Sequence, residues 1–322
     1  MAQNFFGNGF ENKKSLSEQM NDIINGKMSR SKKVQALVKL GIRENEVDFI
    51  LPVVHREPSQ RFVYTFGVEI ECMLPREPFE IAANASGLRY SYESYNHRDT
   101  RDYFKITTDS SVDATRGREG EERECVSPVL DGNKNGFSKL ELCCNALNAA
   151  NAYVNKSTGL HVHIGAKSLT DEQYANVFKN YQKLEHVIDT FMAPSRRGDN
   201  NTYCKSIRDK HLDSCNSRQD IFTEFTEGNR YNRYVARYFK VNAAAYGTHG
   251  TIEFRQHQGT TDYTKIKNWV NFCAKLVAYS TEHVISRYVT SIDDIPFLTA
   301  AEKRYFNSRK AKFEAGTERE AA

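Results

Sequence analysis

The sequence predicts an α+β protein built around a mainly antiparallel β-sheet. Several strand-length stretches alternate polar with apolar residues, which is typical of a strand with only one face on a core. Amphipathic stretches with helical spacing lie between them. Strands of a parallel sheet are covered on both faces and read as continuous apolar runs, so the alternation favours antiparallel pairing.

The clearest of these stretches is Gly159 to Gly165, with the sequence GLHVHIG. Side chains alternate faces along a strand, so His161 and His163 point one way while the apolar residues point the other. We therefore expect both imidazoles to face a cleft and the apolar residues to face the core.

Two further stretches place carboxylates on one strand face. FGVEIECML, which starts at Phe66, carries Glu69 and Glu71, and REGEERECVSP offers Glu122, Glu124 and Val126 in alternation. A single strand of this kind is often an edge strand with one wet side. Several of them in one chain indicate a shared polar interior.

The C-terminal half repeats the pattern. GTIEFRQHQGT, which starts at position 250, places Glu253, Arg255 and His257 on one face of a predicted strand. A strand predicted over 238–244 presents Lys240 and Asn242 together, and a short glycine turn leads from it to the next strand.

Carboxylates, imidazoles and a guanidinium on one sheet face indicate a specific chemistry. Close carboxylates repel one another, so such a cluster persists mainly when cations neutralise it. Oxygen ligands suit Mg²⁺ or Mn²⁺, and Mg²⁺ commonly bridges carboxylates to phosphates. Because a guanidinium binds phosphate oxygens bidentately, the set points to a nucleoside triphosphate.

Length and composition bound the class of protein. The 322 residues are enough for one large or two ordinary domains, and 39% hydrophobic with 27% charged residues is ordinary for a globular protein. No apolar run approaches the roughly 18 residues that cross a bilayer, and the N-terminus has no signal-peptide pattern, so we expect a cytoplasmic protein without a membrane partner. The seven cysteines include no CxxC pair, and we expect most of them to be buried apolar residues.

Four regions follow from the patterns along the chain. We predict a mobile polar arm over 1–28 with a short helix at 15–24, and a helical hairpin over 29–56 whose second helix spans 44–51. The main domain spans 62–285, and a C-terminal extension over 286–322 has a charged tail that we expect to fray from Lys303. The hairpin carries basic residues that would permit nucleic-acid contact, but a packing appendage with a solvated basic face is the favoured interpretation.

Within the main domain, the helices predicted are 137–154, a helix capped by Thr170 and Gln173, and 263–285. A strand is predicted over 104–107, followed by a turn. Asp109 and Asp113 in this turn could bind metal or substrate, but shaping the turn is the favoured interpretation. The stretch after Pro75 is predicted to be a turn and then irregular, and the basic loop over 194–228 to be irregular with a short helix near 221–225.

In this order, the motifs FGVEIE, TDSS, ECVSP, GLHVHIG, KVN and GTIEFRQHQGT resemble the amidoligase family, which is related to glutamate-cysteine ligase and, more distantly, to glutamine synthetase. The resemblance covers Tyr64 to Val277 and leaves the N-terminal hairpin outside it. It implies a curved, mainly antiparallel sheet that forms an active-site funnel flanked by helices. It also implies an ATP-dependent enzyme that joins a carboxylate to an amine through an acyl phosphate, with a divalent metal.

The resemblance implies a role for each matching residue. Metal ligands would be Glu69, Glu71, Glu124 and Glu253. Small-molecule or peptide carboxylates and amines, together with a nucleotide, would be the binding partners.

The same resemblance makes His161 and His163 catalytic, one at a metal or nucleotide phosphate and the other at the acyl-phosphate end. Arg255 would hold a phosphate, and Lys240 and Asn242 would lie on the nucleotide side.

Two other functions stay open at this point. HxH on a strand beside carboxylates also suits a zinc or two-metal hydrolase. Alternatively, a binding protein without catalysis would use the hairpin and the basic loop to engage a partner. The residue types leave open which carboxylate and amine are used.

Overall fold

The computed structural model describes residues 14–28, 30–43, 47, 62, 64–94, 99–115 and 117–318. The chain divides into two units, residues 1–60 and residues 61–322.

The smaller unit contains two helices among its described residues, α1 (Leu16–Asn25) and α2 (Arg30–Lys39). Helix α1 begins with a capping box in which the Ser15 hydroxyl and the Glu18 side chain each satisfy a backbone N–H. Lys33 Nζ donates to the carbonyl of Ile24 at 2.6 Å and so connects the two helices. The helix predicted at 15–24 is therefore present, whereas the second hairpin helix over 44–51 lies outside the described residues apart from the helical Val47.

The larger unit is organised on one mixed sheet. Its described strands are β1 (Thr65–Leu74), β2 (Tyr90–Tyr92), β3 (Phe104–Thr108), β4 (Glu121–Val126), β5 (Leu130–Asp131), β6 (Gly159–Gly165), β7 (Val241–Asn242) and β8 (Thr251–Gln258). They lie in the order β2-β3-β4-β1-β6-β8-β7, and β5 pairs with β1. Only the β2–β3 pair is parallel among these strands. A mostly antiparallel sheet is thus confirmed, while the funnel shape stays a prediction.

Helices supply the rest of the core. The described ones are α3 (Arg76–Ser86), α4 (Gly136–Ala149), α5 (Asp171–Thr190), α6 (Arg218–Thr226), α7 (Arg233–Ala236), α8 (Tyr246–His249), α9 (Tyr263–Ser280) and α10 (Ala300–Glu314). Apolar residues of β1, β6 and β8 join those of α4, α5 and α9 in one buried cluster. Throughout the described ranges, each helix is too short or too polar to span a lipid bilayer.

Local signals account for several helix boundaries. The capping box predicted at Thr170 and Gln173 is present at the start of α5, with both reciprocal hydrogen bonds formed. The seven cysteines are buried and free, as expected.

Helix α3 was wrongly predicted as a turn followed by irregular chain. Pro78 lies in the first turn of α3, where its missing N–H costs nothing, so it does not interrupt the helix. The helix ends at Gly87, whose φ of 72° is left-handed and whose N–H donates to the carbonyls of Ala83 and Asn84.

The C-terminal tail also differs from expectation. Helix α10 continues through the residues expected to fray, and Thr299 and Glu302 form a capping box at its start. Its Phe306 ring centroid lies 4.6 Å from that of Phe191 and 5.5 Å from that of Phe272. The buried aromatic Phe306 anchors a helix in which half of the other residues are charged, so composition alone suggested a free tail.

Candidate active site

The register of the sheet brings the predicted polar residues to one face. Glu71 of β1 is paired with Glu124 of β4, and Glu69 of β1 is paired with His161 of β6. His163 is paired in turn with Glu253 of β8. Paired residues of antiparallel strands project their side chains to the same face, so alternation within each strand becomes a contiguous polar surface.

Both histidines contact carboxylates directly. His161 Nδ1 lies 3.0 Å from Glu69 Oε2, and its Nε2 lies 3.4 Å from Glu71 Oε1. His163 Nε2 lies 3.3 Å from Glu69 Oε1, and its Nδ1 lies 2.9 Å from the hydroxyl of Thr251. The two imidazoles of the HxH strand therefore flank Glu69. A hydrogen bond to Glu69 orients the His161 ring, and one to the Thr251 hydroxyl orients the His163 ring.

Arg255 lies at the other side of this group. Its Nη1 donates to Glu253 Oε1 at 2.5 Å, and its Nε donates to the carbonyl of Tyr203 at 3.3 Å. Asn242 Nδ2 donates to the second oxygen of Glu253, also at 2.5 Å. Arg255 Nη1 is 3.5 Å from His161 Nδ1, so the guanidinium reaches the centre of the cluster. Its Nη2 makes no hydrogen bond to the described part of the chain.

Burial makes these charges interact strongly. Although burial opposes ionisation, His163 and His161 hold the pKa of Glu69 well below its ordinary value. Arg255 similarly overcomes burial and lowers the pKa of Glu253 to about 2. The opposite holds for Glu124, where burial and the charges of Glu69, Glu71 and Asp109 raise the pKa well above its ordinary value. The cluster thus has more carboxylate than its own cations neutralise.

The donor set fits a divalent cation. Potential ligand atoms lie within 4.8 Å of one another in three groups: Glu69, His163 and Glu253; Glu69, Glu124 and His161; and Glu71, Asp109 and Glu124. Glu124 Oε2 is buried without a hydrogen-bond partner in the described ranges. A buried carboxylate oxygen left unpaired is costly, and a hard cation would satisfy it.

Three residues of this face were not among the predicted site residues. Lys105 and Thr107 of β3 lie opposite Val126 and Glu124, respectively, and Asp109 follows at the end of that strand. The signal was present, because Lys105 and Thr107 alternate with Phe104 and Ile106 as the site residues do in their strands. Asp109 also shapes the predicted turn, since its Oδ1 accepts from the N–H and the hydroxyl of Ser111 at 2.7 Å each.

A cleft of about 600 Å³ opens beside the cluster. Glu69, Glu124 and His163 line it, together with Lys105 and Lys167. Such a volume accommodates a small-molecule ligand, and both charge signs are present for orienting it.

His257 does not share the face with Glu253 and Arg255, contrary to the strict alternation we predicted. Val162 is paired with Phe254 but Leu160 with His257, so one extra residue of β8 lies opposite His161. This β-bulge shifts the alternation and directs His257 against Trp269, with ring centroids 5.9 Å apart. Sequence alternation alone does not reveal a bulge.

Lys240 is not brought into this group either. Its side chain is fully buried, and its Nζ lies 2.8 Å from Glu185 Oε1 and 2.7 Å from Asp189 Oδ1, both in α5. The strand predicted over 238–244 is a two-residue strand, β7, and Lys240 lies just outside it. The Lys240 side chain contacts α5, whereas that of Asn242 contacts Glu253. Asn242 does reach the site through Glu253.

A buried face of carboxylates, imidazoles and a guanidinium beside a cleft is the kind of site that binds a divalent metal and an anionic ligand. Residues 63–277 match the protein family described as "Putative amidoligase enzyme", and the chain belongs to this family. The resemblance noted in the sequence is thereby confirmed.

Among solved structures, a bifunctional glutathione synthetase from Pasteurella multocida is similar, with 13% sequence identity and a TM-score of 0.37. The match covers 77% of this chain and 41% of that chain, so this chain spans less than half the length of that protein. No curated protein matches the chain.

Proposed function

We propose that this protein is an ATP-dependent carboxylate–amine ligase that forms an amide bond through an acyl phosphate and uses Mg²⁺ or Mn²⁺. The observation that carries the proposal is the meeting of four glutamates with His161, His163 and Arg255 on one sheet face beside the cleft. Membership of the amidoligase family supports the same reaction class.

The chemistry explains why this combination is suitable. A carboxylate is a poor electrophile, and transfer of the γ-phosphoryl group of ATP to it creates an acyl phosphate that an amine attacks. A divalent metal, when bound, neutralises negative charge on the phosphates. Glu69, Glu71, Glu124 and Glu253 would hold such ions in separate groups of ligand atoms, Glu71 with Glu124, and Glu69 with Glu124 or with Glu253. Asp109 would contribute to the first of these groups.

Arg255 would bind a phosphate oxygen. Glu253 and the Tyr203 carbonyl already orient two of its nitrogens, and Nη2 is left for a ligand. Preorganised donors of this kind favour the transferring phosphoryl group because they need no reorientation during the reaction.

The histidines have complementary tasks. Glu69 orients the His161 ring through a hydrogen bond, whereas Thr251 orients the His163 ring at Nδ1. His163 Nε2 lies 3.3 Å from Glu69 but makes no hydrogen bond to the described residues. His163 lines the cleft, whereas His161 lies deeper between Glu69, Glu71 and Arg255. We assign His163 to the substrate end and His161 to the phosphate end. The carboxylate and amine substrates would bind in the cleft, where Lys105 and Lys167 offer positive charge.

The test is phosphate release by the full-length protein with Mg²⁺ and ATP, with and without pooled amino acids, peptides and polyamines. Mass spectrometry then identifies any product that is one water lighter than the sum of its parts. We expect release that depends on both a carboxylate and an amine and that is lost in Glu124→Gln.

Other outcomes would favour the other functions. Stoichiometric zinc with hydrolysis of an added amide or ester, and without nucleotide turnover, would replace the ligase proposal with a hydrolase. Absence of both nucleotide binding by calorimetry and nucleotide turnover would favour a binding protein without catalysis.

A further inference from the structure

We propose that Lys240, together with Glu185 and Asp189 of α5, is a positioning device that fixes Arg255 in the candidate active site. The inference rests on the proposed function for the catalytic role of Arg255, but the positioning itself is a structural claim. It gives Lys240 a task other than binding a nucleotide.

The three charges form a buried triad. Lys240 and Glu185 are fully buried, and Asp189 is nearly so. The ammonium lies 2.8 Å from Glu185 Oε1 and 2.7 Å from Asp189 Oδ1. Charges withdrawn from water are tolerated only when they are paired closely, so removal of one partner is strongly unfavourable. The triad therefore holds Lys240 in one position.

The backbone of Lys240 connects this triad to Arg255. The N–H of Arg255 donates to the carbonyl of Lys240 at 2.8 Å, and the N–H of Lys240 donates to the carbonyl of Lys205 at 2.9 Å. The guanidinium of Arg255 donates to the carbonyl of Tyr203 at 3.3 Å. Both the backbone and the side chain of Arg255 are thus held by Lys240 and the neighbouring 203–205 segment.

Glu185 fixes the segment that supplies these carbonyls. Its Oε1 accepts from the hydroxyl of Ser206 at 2.6 Å, and its Oε2 accepts from the N–H of Ile207 at 2.9 Å. The basic loop that we predicted to be irregular is therefore anchored at this point to α5.

Asp189 fixes the bulge itself. Its Oδ1 accepts from Gln256 Nε2 at 2.6 Å, and its Oδ2 accepts from the N–H of Gly198 at 3.0 Å. Gln256 directly follows Arg255 in the β-bulge, where regular strand pairing does not define the backbone. The hydrogen bond from Gln256 to Asp189 holds the backbone of the bulge in place of strand pairing. The same triad therefore controls the direction in which Arg255 projects.

Small errors in the position of such a residue matter. A displacement of about 1 Å at a reacting group reduces the rate about 100-fold. Lys240→Met retains most of the side-chain length but leaves Asp189 without its cation, and Glu185 keeps only the half-exposed Arg208, whose Nε lies 3.6 Å from Glu185 Oε1. We expect the 203–207 segment and the bulge to relax and Arg255 to lose its orientation.

The first experiment measures this relaxation without any activity assay. Hydrogen–deuterium exchange by mass spectrometry follows the peptide that contains the Arg255 amide in the full-length protein. In Lys240→Met we expect exchange at least about tenfold faster in this peptide. The matched control is Lys275→Met, which removes a partly buried Lys–Glu pair of 2.7 Å between α9 and α10 and should leave this peptide unchanged. Wild-type protection of the peptide in a folded Lys240→Met protein would overturn the proposal.

The second experiment is a double-mutant cycle on nucleotide turnover. If Lys240 acts through Arg255, Lys240→Met should reduce turnover about tenfold or more in the wild-type background and less than about twofold in the Arg255→Lys background. An equal loss in both backgrounds indicates a general structural effect and overturns the proposal.

Two further provisions keep the outcomes distinct. If Lys240→Met does not fold, Asp189→Asn takes its place, because it retains an oxygen acceptor and leaves the Lys240–Glu185 pair in position. If the wild-type protein turns over no nucleotide, the proposed function fails, and the exchange experiment alone still decides whether the triad positions Arg255.

Discussion

Replacement of Arg255 by lysine tests the core of the proposed site. The guanidinium uses Nη1 for Glu253 and Nε for the Tyr203 carbonyl, and Nη2 makes no hydrogen bond to the described residues. A lysine ammonium is a single donor centre that would remain beside Glu253. The variant therefore keeps the charge but loses the nitrogen that we assign to a phosphate oxygen.

The expected magnitude follows from that one lost interaction. A hydrogen bond to a charged group contributes about 1.5 to 3 kcal/mol. Because about 1.4 kcal/mol corresponds to a tenfold change in rate, turnover should fall about 10- to 140-fold. Loss of the Nε hydrogen bond to Tyr203 should cost only about 1 kcal/mol of unfolding free energy, so the protein should stay folded.

The assay is initial-rate phosphate release at saturating Mg²⁺ and ATP, with thermal unfolding measured in parallel. Arg309→Lys is the matched control, because Arg309 is also buried, pairs with Glu318 at 3.1 Å and lies in α10 away from the site. Turnover within threefold of wild type in Arg255→Lys, or an equal loss in the control, would refute the assignment of Arg255 to a phosphate.

Three further predictions follow from the same contacts. Glu253→Gln should reduce metal-dependent nucleotide turnover by orders of magnitude, because it removes a charge shared by the metal group and Arg255. Circular dichroism should show a folded protein. Unchanged turnover would remove Glu253 from the site. Deletion of residues 1–56 should leave turnover intact, because the site lies wholly within the unit that starts at 61, and loss of soluble protein would instead make the N-terminal unit part of the core. Burial and the charge of Arg309 hold the pKa of His257 well below its ordinary value of 6.5, so the folded state keeps the ring neutral while the unfolded state takes up a proton below that pH. Unfolding free energy should therefore fall as pH drops below 6.5, by up to about 1.4 kcal/mol per pH unit. Urea titrations of His257→Gln should show a shallower fall than wild type. Equal slopes of unfolding free energy against pH in the two proteins would contradict this.

The part of the candidate site that depends on alternation within single strands was predicted from the sequence. Glu69, Glu71, His161 and His163 project as a period of two requires, because neighbouring residues of a strand point to opposite faces. Glu124 likewise follows from its strand. The same rule applied to β3 would have added Lys105, but its stretch carries only one charged residue and did not stand out.

The errors have a common physical cause. His257 does not lie on the predicted face because β8 contains a bulge. A bulge depends on how two strands pair, which a single strand's pattern does not contain. Lys240 does not lie on that face either, because its ammonium pairs with two carboxylates of α5 that are more than fifty positions earlier in the chain. Helix α10 is ordered because Phe306 meets aromatic partners from distant parts of the chain.

The sequence by itself determined the chemistry available to this protein and the direction in which most of that chemistry points, since residue type and strand periodicity are local properties. Only the tertiary structure decided which charges meet. Pairing register, the bulge at Arg255 and the buried triad behind it depend on contacts between segments far apart in the chain, and their energies arise from burial that no local pattern contains.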